Sequence, residues 1–289
     1  MALKIWIDGT YYDKENAKIS VYDHGLLYGD GVFEGIRAYS GKIFECAAHL
    51  RRLFDSARAI RLAIPYTSEQ LERIIYDTMK QNNFADCYVR LIVTRGVGTL
   101  GLDPNRCPSP SVICITDLIR LYPPEMYQQG MSVITASVIR NHPNALSPRI
   151  KSLNYLNNIL AKIEAIDAGV PEAVMLNQEG YVAECTADNF FVVRDGAVFT
   201  PPASDGALEG VTRGVIMNLC RSSFIPIQER RLERHDLYIA DECFLTGTAA
   251  EVVPVTKVDG RAIGTGQPGP ITRKLIDAFH KFVRLVENE

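Results

Sequence analysis

Apolar residues recur at helical spacing in two segments of the first half of the chain. Residues 47–62 carry apolar side chains three and four positions apart, which predicts an amphipathic helix with one buried face. That face contains Leu50, Leu53, Phe54, Ala57 and Ile60. A second helix is predicted over Ser68–Gln81, because Thr67 and Gln70 stand at the spacing of a capping box.

Short apolar runs bounded by turn residues predict strands on both sides of these helices. Ser40-Gly41 follows the apolar residues 32–39 and marks a hairpin. A turn at Gly9-Thr10 is predicted to join strands at residues 4–8 and 17–21. The other predicted strands are Cys87–Thr94, Ser111–Asp117, 131–139, 173–176, 181–185, 190–193 and Ala197–Thr200.

The length of the chain and one irregular segment predict two domains. At roughly 150 residues per domain, 289 residues are enough for two. Residues 119–129 contain Pro123-Pro124 and show little periodicity, so we predict a linker there between a domain at 1–118 and a domain at 130–289. In the second domain, helices are predicted to begin near Thr212 and at Pro270.

A third amphipathic pattern starts at Lys151 and singles out this lysine among those of the chain. Its apolar members are Leu153, Leu156, Ile159, Leu160 and Ile163. The pattern predicts that Lys151 opens a helix and lies against an apolar face. Desolvation would lower the pKa of its ammonium group and make the nucleophilic amine easier to populate. On this segment alone, a surface lysine at a helix start is the better interpretation; the downstream segments reverse that preference.

Composition and charge exclude several classes of protein. A hydrophobic fraction of 47% with 22% charged residues is ordinary for a globular enzyme, and a net charge of −3 favours neither nucleic acid nor an anionic membrane. The N-terminus is broken by Lys4 and Asp8, so we expect no signal peptide, and no apolar run reaches the ~20 residues of a membrane span. Seven scattered cysteines without a Cys-x-x-Cys pair predict a cytoplasmic protein with free thiols and no bound metal.

Four motifs downstream of Lys151 carry a family resemblance. Residues 180–191 read GYVAECTADNFF, residues 199–202 read FTPP, residues 207–213 read ALEGVTR and residues 247–251 read GTAAE. Together with Lys151 they resemble the class IV, pyridoxal-phosphate-dependent aminotransferases, and within that family the branched-chain amino acid aminotransferases. The resemblance runs from about Ile7 to Phe282.

The resemblance implies a fold, a cofactor and an assembly. The fold is the two-domain α/β (α+β) architecture of the fold type IV aminotransferases. It has a smaller N-terminal α/β domain, a larger C-terminal pseudo-barrel domain and an active site at the domain interface. The cofactor is pyridoxal 5′-phosphate. The partners are amino acids and 2-oxo acids, and the assembly is a homodimer or a higher homo-oligomer built from dimers.

The resemblance also implies which residues hold the cofactor. Lys151 bonds covalently to the cofactor aldehyde and, once released, is the acid and base for the proton shift. Glu184 keeps the pyridine nitrogen protonated, Tyr155 hydrogen-bonds the phenolic oxygen and Leu208 packs on the ring. No P-loop is present, so the phosphate site must be composite; a helix opening at Gly210 would favour a dianion. The implied phosphate ligands are Arg52, Val211, Thr212 and Thr248.

The substrate side of the predicted site comes mainly from residues 24–37, which read HGLLYGDGVFEGIR. Phe33 with Gly35 after it, Tyr28, Tyr122 and Tyr155 would form an aromatic wall for a branched aliphatic side chain. Tyr88 and the Thr248-Ala249 backbone would hold the α-carboxylate, and Arg90 the side-chain carboxylate of glutamate. In the family, the tyrosine matching Tyr28 and the loop around Leu100 and Leu102 come from the second subunit.

Two alternatives remain open on the same fold, and a third lacks its chemistry. A D-amino-acid aminotransferase would carry an arginine and a histidine in the loop where this chain has Leu100 and Leu102, and leucine cannot bind a carboxylate. An aminodeoxychorismate lyase is a further possibility on this fold, and a non-catalytic relative is the third. Arg95 has no assigned role, and Cys185 stands where the family has a smaller residue, which predicts altered cofactor fit or sensitivity to thiol reagents.

Overall fold

The structure is a computed structural model that describes residues 2–119 and 121–288. The chain divides into two compact units. Unit 1 comprises Met1–Ile119, Ile150–Asn154 and Val286–Glu289, and unit 2 comprises Arg120–Arg149 and Tyr155–Leu285. Among the helices described, none combines the length and the apolar character that crossing a membrane requires.

Unit 1 contains a six-stranded antiparallel sheet with three helices. Its strands are β1 (Lys4–Ile7), β2 (Thr10–Asp13), β3 (Gly31–Tyr39), β4 (Lys42–Ile43), β5 (Cys87–Thr94) and β6 (Ser111–Asp117). Its helices are α1 (His24–Tyr28), α2 (Cys46–Ala59) and α3 (Ser68–Gln81). The strands lie in the order β2-β1-β6-β5-β3-β4, so the long strands β3 and β5 pair near one end of the sheet.

The core of unit 1 lies between this sheet and the helices α2 and α3. Side chains along a strand alternate between its two faces, so Val32 and Ile36 of β3 point to the same side and are fully buried. Leu53 of α2 and Ile75 of α3 are fully buried in the same cluster. Each such aliphatic side chain contributes about 1.5–3 kcal/mol when fully buried, and these contacts fix α2 against β3.

The N-terminus of α3 confirms the predicted capping box. The Thr67 hydroxyl accepts a hydrogen bond from the Gln70 amide at 3.3 Å, and the Gln70 side-chain oxygen accepts one from the Thr67 amide at 2.7 Å. Two amide groups that the first helical turn leaves unpaired are thereby satisfied. The helix begins and ends where the sequence predicted it.

The first hairpin differs from the prediction. The chain reverses at Asp8-Gly9, with φ of 46° and 93°, and Ile7 pairs directly with Thr10. Two consecutive positive φ angles give a two-residue turn whose twist matches the flanking strands. The partner of β1 is therefore the next segment of chain, β2, and the predicted strand at residues 17–21 is wrong.

Unit 2 contains a nine-stranded mixed sheet with five helices. Its strands are β7 (Met131–Thr135), β8 (Glu172–Leu176), β9 (Val182–Cys185), β10 (Asn189–Arg194), β11 (Ala197–Thr200), β12 (Ile227–Glu229), β13 (Glu242–Gly247), β14 (Glu251–Val258) and β15 (Arg261–Ala262). Its helices are α4 (Pro124–Gln129), α5 (Leu156–Asp167), α6 (Val211–Ser222), α7 (Arg234–Tyr238) and α8 (Pro270–Asn288). Eight strands follow the order β12-β11-β10-β13-β14-β7-β8-β9, and β15 pairs with β14.

The strands at the centre of this sheet are buried along most of their length. Phe190 and Val192 of β10, Leu245 of β13 and Val253 of β14 belong to one core cluster. This continuous burial explains why these segments read as unbroken apolar runs in the sequence. The segment predicted as a structureless linker contains helix α4, which packs against β14.

The segment around Lys151 also differs from the prediction. Helix α5 begins at Leu156, and Lys151 lies in an extended segment of unit 1. The Phe33 amide donates to the Lys151 carbonyl at 3.0 Å, and the Leu153 amide donates to the Gly31 carbonyl at 3.0 Å. These bonds to β3 occupy backbone groups that a helix would have used internally. The prediction that Lys151 lies against an apolar helix face is therefore wrong.

The apolar residues of that predicted face lie on the outside of α5. They are exposed by 45% to 67%, while Asn158, Ala161 and Ala165 form the buried side of the helix. The exposed set is Leu156, Ile159, Leu160, Ile163 and Ile166.

Candidate active site

The predicted site residues occur in both units, and each group is described by itself. In unit 1, two cationic side chains meet at the Phe33 ring. The Lys151 Nζ lies 4.7 Å from the centroid of this ring, and the Arg90 guanidinium carbon lies 4.5 Å from it. The negative face of an aromatic ring attracts cations at such distances. Strand β3 supplies Phe33, strand β5 supplies Arg90, and the extended segment beside β3 supplies Lys151.

Tyr88 and Gly35 complete this group. The Arg90 Nη2 donates to the Tyr88 hydroxyl at 3.1 Å, and Gly35 stands opposite Arg90 in the strand pairing. A Cβ atom at position 35 would lie 1.9 Å from the Tyr88 hydroxyl. Only glycine therefore lets the Tyr88 ring lie across β3. The structure brings together Lys151 and the four predicted substrate residues Phe33, Gly35, Tyr88 and Arg90.

Arg52 is held in an ion cluster on the opposite face of β3. Its Nε and Nη2 donate to the two carboxylate oxygens of Glu34 at 2.7 and 2.8 Å. The His49 Nδ1 contacts the same carboxylate at 2.8 Å. Burial alone would raise the pKa of Glu34, but the charge and hydrogen bonds of Arg52 and His49 outweigh it and lower that pKa to about 2. Burial lowers the pKa of His49 against the influence of Glu34.

Glu34 and His49 were not among the predicted site residues. A local signal exists for Glu34, since a charged residue interrupts the apolar positions that face the core. His49 and Arg52 stand three positions apart on α2, which places them on one helix face. The sequence does not reveal that Glu34 meets both.

The predicted second-subunit loop is fixed to helix α1 within unit 1. The Tyr28 hydroxyl accepts a hydrogen bond from the Gly101 amide at 3.0 Å, and the His24 Nε2 lies 2.9 Å from the Thr99 carbonyl oxygen. Leu100 and Leu102 are exposed by 69% and 81%. The loop is thus anchored at its backbone and presents two aliphatic side chains to solvent.

Arg95, which had no predicted role, has a structural one. Its guanidinium forms two hydrogen bonds of 2.9 Å with the Asp30 carboxylate. It also donates to the backbone carbonyls of Ile60 and Arg61 at 2.7 Å. Arg95 therefore ties the C-terminal end of α2 to the segment before β3.

In unit 2, Glu184 lies near the end of β9 as a buried carboxylate that accepts four hydrogen bonds. The Arg140 Nε and Nη2 donate to its Oε1 at 3.0 and 2.8 Å. Its Oε2 accepts from the Leu208 amide at 2.9 Å and from the Asn189 side chain at 3.3 Å. Arg140 is itself oriented by the side-chain oxygens of two asparagines, Asn157 and Asn158, at 3.1 Å each. Arg140 and Asn189 were missed, because no local pattern in the sequence links them to Glu184.

The start of helix α6 offers an anion site close to this carboxylate. Gly210 is the N-cap residue and makes no side-chain cap, so the first amides of the helix are open to an external acceptor. The Thr212 Oγ1 is buried and has no hydrogen-bond partner. A Cβ at Gly210 would lie 2.0 Å from the Asn189 Oδ1, so Asn189 links the helix start to Glu184. An orphaned hydroxyl beside free amides fits a phosphate group.

The other predicted cofactor residues of unit 2 lie in the loops next to these elements. Leu208 accepts the Asn189 side-chain amide at its carbonyl, and Val211 is the first residue of α6. Thr248 and Ala249 follow β13 directly and are half-buried, as is Tyr155, which precedes α5. The cofactor and substrate roles of all these side chains stay predictions.

Tyr122 lies in the core of unit 2 between two buried carboxyl groups. Its hydroxyl lies 3.4 Å from Glu172 Oε2 and 3.2 Å from Asp188 Oδ2. Burial, followed by the charge of Glu172, raises the pKa of Asp188 to about 7. Lys162 stands 3.6 Å from Glu172 and offsets part of this charge. The role of Tyr122 in a substrate wall stays a prediction.

Cys185 lies beside this carboxyl pair and is fully buried. Burial, followed by the charges of Glu172 and Asp188, raises the pKa of its thiol well above the ordinary value. Because thiolate is the reactive form and the side chain is inaccessible, its position argues against sensitivity to thiol reagents.

The raised pKa of Asp188 predicts a pH-dependent stability. In the unfolded chain an aspartate loses its proton near pH 4, whereas folded Asp188 keeps it up to about pH 7. The unfolded state binds fewer protons in this window, so the free energy of unfolding falls from pH 4 to pH 7 and levels off above. We expect Asp188→Asn to remove this contribution, which urea unfolding at pH 5 and pH 8 measures.

The control for this prediction is Asp167→Asn, at an exposed position that ends α5. A stability difference between Asp188→Asn and the native protein that is the same at both pH values would contradict the assignment.

Comparison with known proteins identifies the family. The family model described as amino-transferase class IV matches residues 31–258. A Methanocaldococcus jannaschii protein, provisionally named a branched-chain-amino-acid aminotransferase, is 49% identical over 96% of this chain and 95% of its own. The crystal structure of Escherichia coli branched-chain amino acid aminotransferase has a TM-score of 0.95 and 36% identity, covering 98% of this chain and 95% of that one.

A second solved structure carries a derivative of the cofactor. It is a branched-chain amino acid aminotransferase from T.th., complexed with N-(5′-phosphopyridoxyl)-L-glutamate. Its TM-score is 0.91 at 37% identity, covering 98% of this chain and 94% of that one. The predicted fold, that of the fold type IV aminotransferases, is confirmed. The chain belongs to the class IV aminotransferases, whose cofactor is pyridoxal 5′-phosphate.

Proposed function

We propose that this protein exchanges the α-amino group between L-branched-chain amino acids (leucine, isoleucine, valine) and 2-oxoglutarate in a ping-pong reaction. The observation that carries the proposal is the Phe33 ring, which has both the Lys151 ammonium and the Arg90 guanidinium at its face. This places an apolar surface, a carboxylate-binding cation and a candidate nucleophile in one place. The names of the relatives at 36–49% identity support the same substrate class.

The proposal divides the chemistry between residues of the chain. Pyridoxal 5′-phosphate, when bound, supplies the electron sink for loss of the α-proton. Lys151 holds the cofactor aldehyde and, once displaced by the substrate amine, moves the proton at the α-carbon. Glu184 holds a proton on the pyridine nitrogen, and Arg140 fixes the orientation of Glu184.

One pocket must accept both an apolar and an anionic side chain. The Phe33 ring offers apolar contact to a branched aliphatic side chain. Arg90 binds the second carboxylate of glutamate, and its bond to the Tyr88 hydroxyl sets the direction of the guanidinium. Both substrate classes thereby use the same face of β3 and β5.

The proposed assembly is a homodimer in the cytoplasm. The five exposed aliphatic residues of α5 form a stripe at helical spacing, and monomeric proteins rarely expose such a patch. Exposed Leu100 and Leu102 supply a second aliphatic surface for a second copy of the chain. The seven cysteines, all unpaired, support a reducing compartment. A monomeric mass by light scattering would rule out the dimer.

The visible absorption of the purified holoprotein tests the reaction. We expect a band of the lysine-bound cofactor that bleaches when L-leucine is added and returns when 2-oxoglutarate follows, since each addition completes one half-reaction. A band that ignores L-leucine but bleaches with D-alanine would replace the proposal by a D-amino-acid aminotransferase. A protein that develops no band with added pyridoxal phosphate would not be an aminotransferase.

A further inference from the structure

We propose that Glu34 and His49 are positioning residues for cofactor binding: they fix the guanidinium of Arg52 in the plane from which it binds the cofactor phosphate. The inference rests on the proposed function, because Arg52 is the phosphate-binding arginine only in that reaction. Neither Glu34 nor His49 touches the cofactor in this proposal. Both act through Arg52.

The geometry of the pair supports a positioning role. Two hydrogen bonds, of 2.7 and 2.8 Å, join the Nε–Nη2 edge of Arg52 to both oxygens of Glu34. A two-point contact fixes the plane of the guanidinium as well as its position, which a single bond does not. The opposite edge of the same fork, formed by the Nη1 and Nη2 groups, is the edge that can bind two phosphate oxygens.

Burial explains why Glu34 itself needs a further partner. Glu34 is fully buried, and Arg52 is 12% exposed at its side chain. A buried carboxylate is retained only when its oxygens are paired, and an apolar pair of the same volume would stabilise the core as well. The charge at position 34 is therefore better explained by orientation of Arg52 than by stability.

His49 holds Glu34 from the other side. Its Nδ1 lies 2.8 Å from Glu34 Oε2, and its Nε2 is buried without a hydrogen-bond partner. A protonated ring would leave a buried N–H unpaired at Nε2, so the neutral ring with a hydrogen on Nδ1 fits the site. His49 then donates to Glu34 and keeps the carboxylate from rotating away from Arg52.

The strand β3 connects this cluster to the substrate side. Successive residues of a strand point to opposite faces, so Glu34 faces α2 while its neighbour Phe33 faces Lys151 and Arg90. One strand thus carries the partner of Arg52 and the aromatic surface for substrate. A shift of Arg52 need not disturb Phe33, and this makes the two roles separable by experiment.

The test compares two ligands that differ only in the phosphate group. The full chain is freed of cofactor by dialysis, and the dissociation constants of pyridoxal 5′-phosphate and of pyridoxal are measured by absorbance titration. We expect Glu34→Gln to weaken binding of pyridoxal 5′-phosphate about 10- to 100-fold, the effect of losing a charge-assisted hydrogen bond. Binding of pyridoxal, which has no phosphate, should change little.

Two variants of His49 test the same contact without removing the buried charge. We expect His49→Leu to weaken binding of pyridoxal 5′-phosphate selectively. His49→Asn places an amide N–H near the position of Nδ1–H and should restore the selectivity. The control is Glu242→Gln, which removes a buried carboxylate that accepts the amides of Ile271 and Thr272 at the start of α8. It should lower stability and leave the ratio of the two constants unchanged.

Each outcome decides between the proposal and its alternatives. Equal loss of both ligands in Glu34→Gln, as for a merely structural residue, would overturn the positioning role. Tighter binding of pyridoxal 5′-phosphate would also overturn it, because Glu34 would then act only by reducing the charge of Arg52. If the native protein binds pyridoxal as well as pyridoxal 5′-phosphate, the proposed function fails with it. If the native protein prefers pyridoxal 5′-phosphate and the variants keep the native ratio, the proposed function stands and the role of Glu34 and His49 is refuted.

Discussion

Lys151→Ala is expected to stop amino transfer almost completely while the protein stays folded. The side-chain amine is assigned both the covalent attachment of the cofactor and the proton transfer at the α-carbon. General acid–base catalysis alone contributes about 10²- to 10⁴-fold, so we expect kcat with L-leucine to fall at least ~10³-fold. Steady-state kinetics with L-leucine and 2-oxoglutarate measure this loss.

The structure explains why this variant should fold. Lys151 joins unit 1 through its backbone: its carbonyl accepts from Phe33, and its amide donates to the Ser56 hydroxyl at 3.1 Å. Alanine keeps both bonds and gives up the contact of the ammonium with the Phe33 ring, about 0.5–1 kcal/mol. Lys281→Ala, on the exposed side of α8, is the control. A folded Lys151→Ala protein that turns over within about tenfold of the native rate would refute the mechanism.

Glu184→Gln is expected to slow the proton transfer at the α-carbon about 10²- to 10³-fold, the size of losing one charge-stabilising group. Glutamine removes the charge that holds the pyridine nitrogen protonated. Its amide also turns a donor either toward the Arg140 guanidinium or toward the Leu208 amide, both of which are donors already. The kinetic isotope effect with L-leucine deuterated at the α-carbon should rise, because proton transfer becomes rate-limiting.

A loss of stability will accompany this change and must be separated from it. Removing one partner of a buried ion pair costs about 3–5 kcal/mol, and the side chains of Arg140 and Glu184 are only 6% and 7% exposed. Glu229→Gln, which removes the half-exposed partner of Arg213, is the matched control without a catalytic role. A Glu184→Gln protein that loses stability yet shows the native isotope effect would make Glu184 a structural residue only.

Elements with local signals could be predicted from the sequence. The limits of α3 follow from the capping box at Thr67 and Gln70, and β5 and β6 follow from apolar runs between turn residues. The first hairpin failed because the turn lies one residue earlier than predicted, and a short turn pairs the strand with the very next segment. Position within a turn depends on φ angles that the residue types only favour.

The Lys151 segment shows a different limit. Its apolar pattern is real, but the pattern extends over residues that belong to two compact units, and a hydrogen-bonded strand neighbour takes up Lys151 to Leu153. Periodicity does not reveal which backbone groups will find partners elsewhere. The resemblance to a family named Lys151 as the residue to examine, although the local argument about its helix was wrong.

The partners of the site residues are the part that sequence reasoning missed. Arg140 and Glu184 are 44 positions apart, and Glu34 meets residues 15 and 18 positions away on a different element. Such contacts follow from sheet order and helix packing, which single residues do not encode. The functional groups were predicted from motifs, whereas the residues that orient them appear only in three dimensions.

The path of the chain around Lys151 has a consequence for the modularity of the protein. Residues 150–154 belong to unit 1, but the segments before and after them belong to unit 2. A gene fragment ending at Ile119 would therefore encode the sheet of unit 1 without its proposed nucleophile. A fragment beginning at Leu121 would encode that lysine without the strand to which it hydrogen-bonds. Neither unit can be exchanged between relatives as an independent cassette, and recombination within this family should succeed only at points that keep residues 31–39 and 150–154 from the same parent.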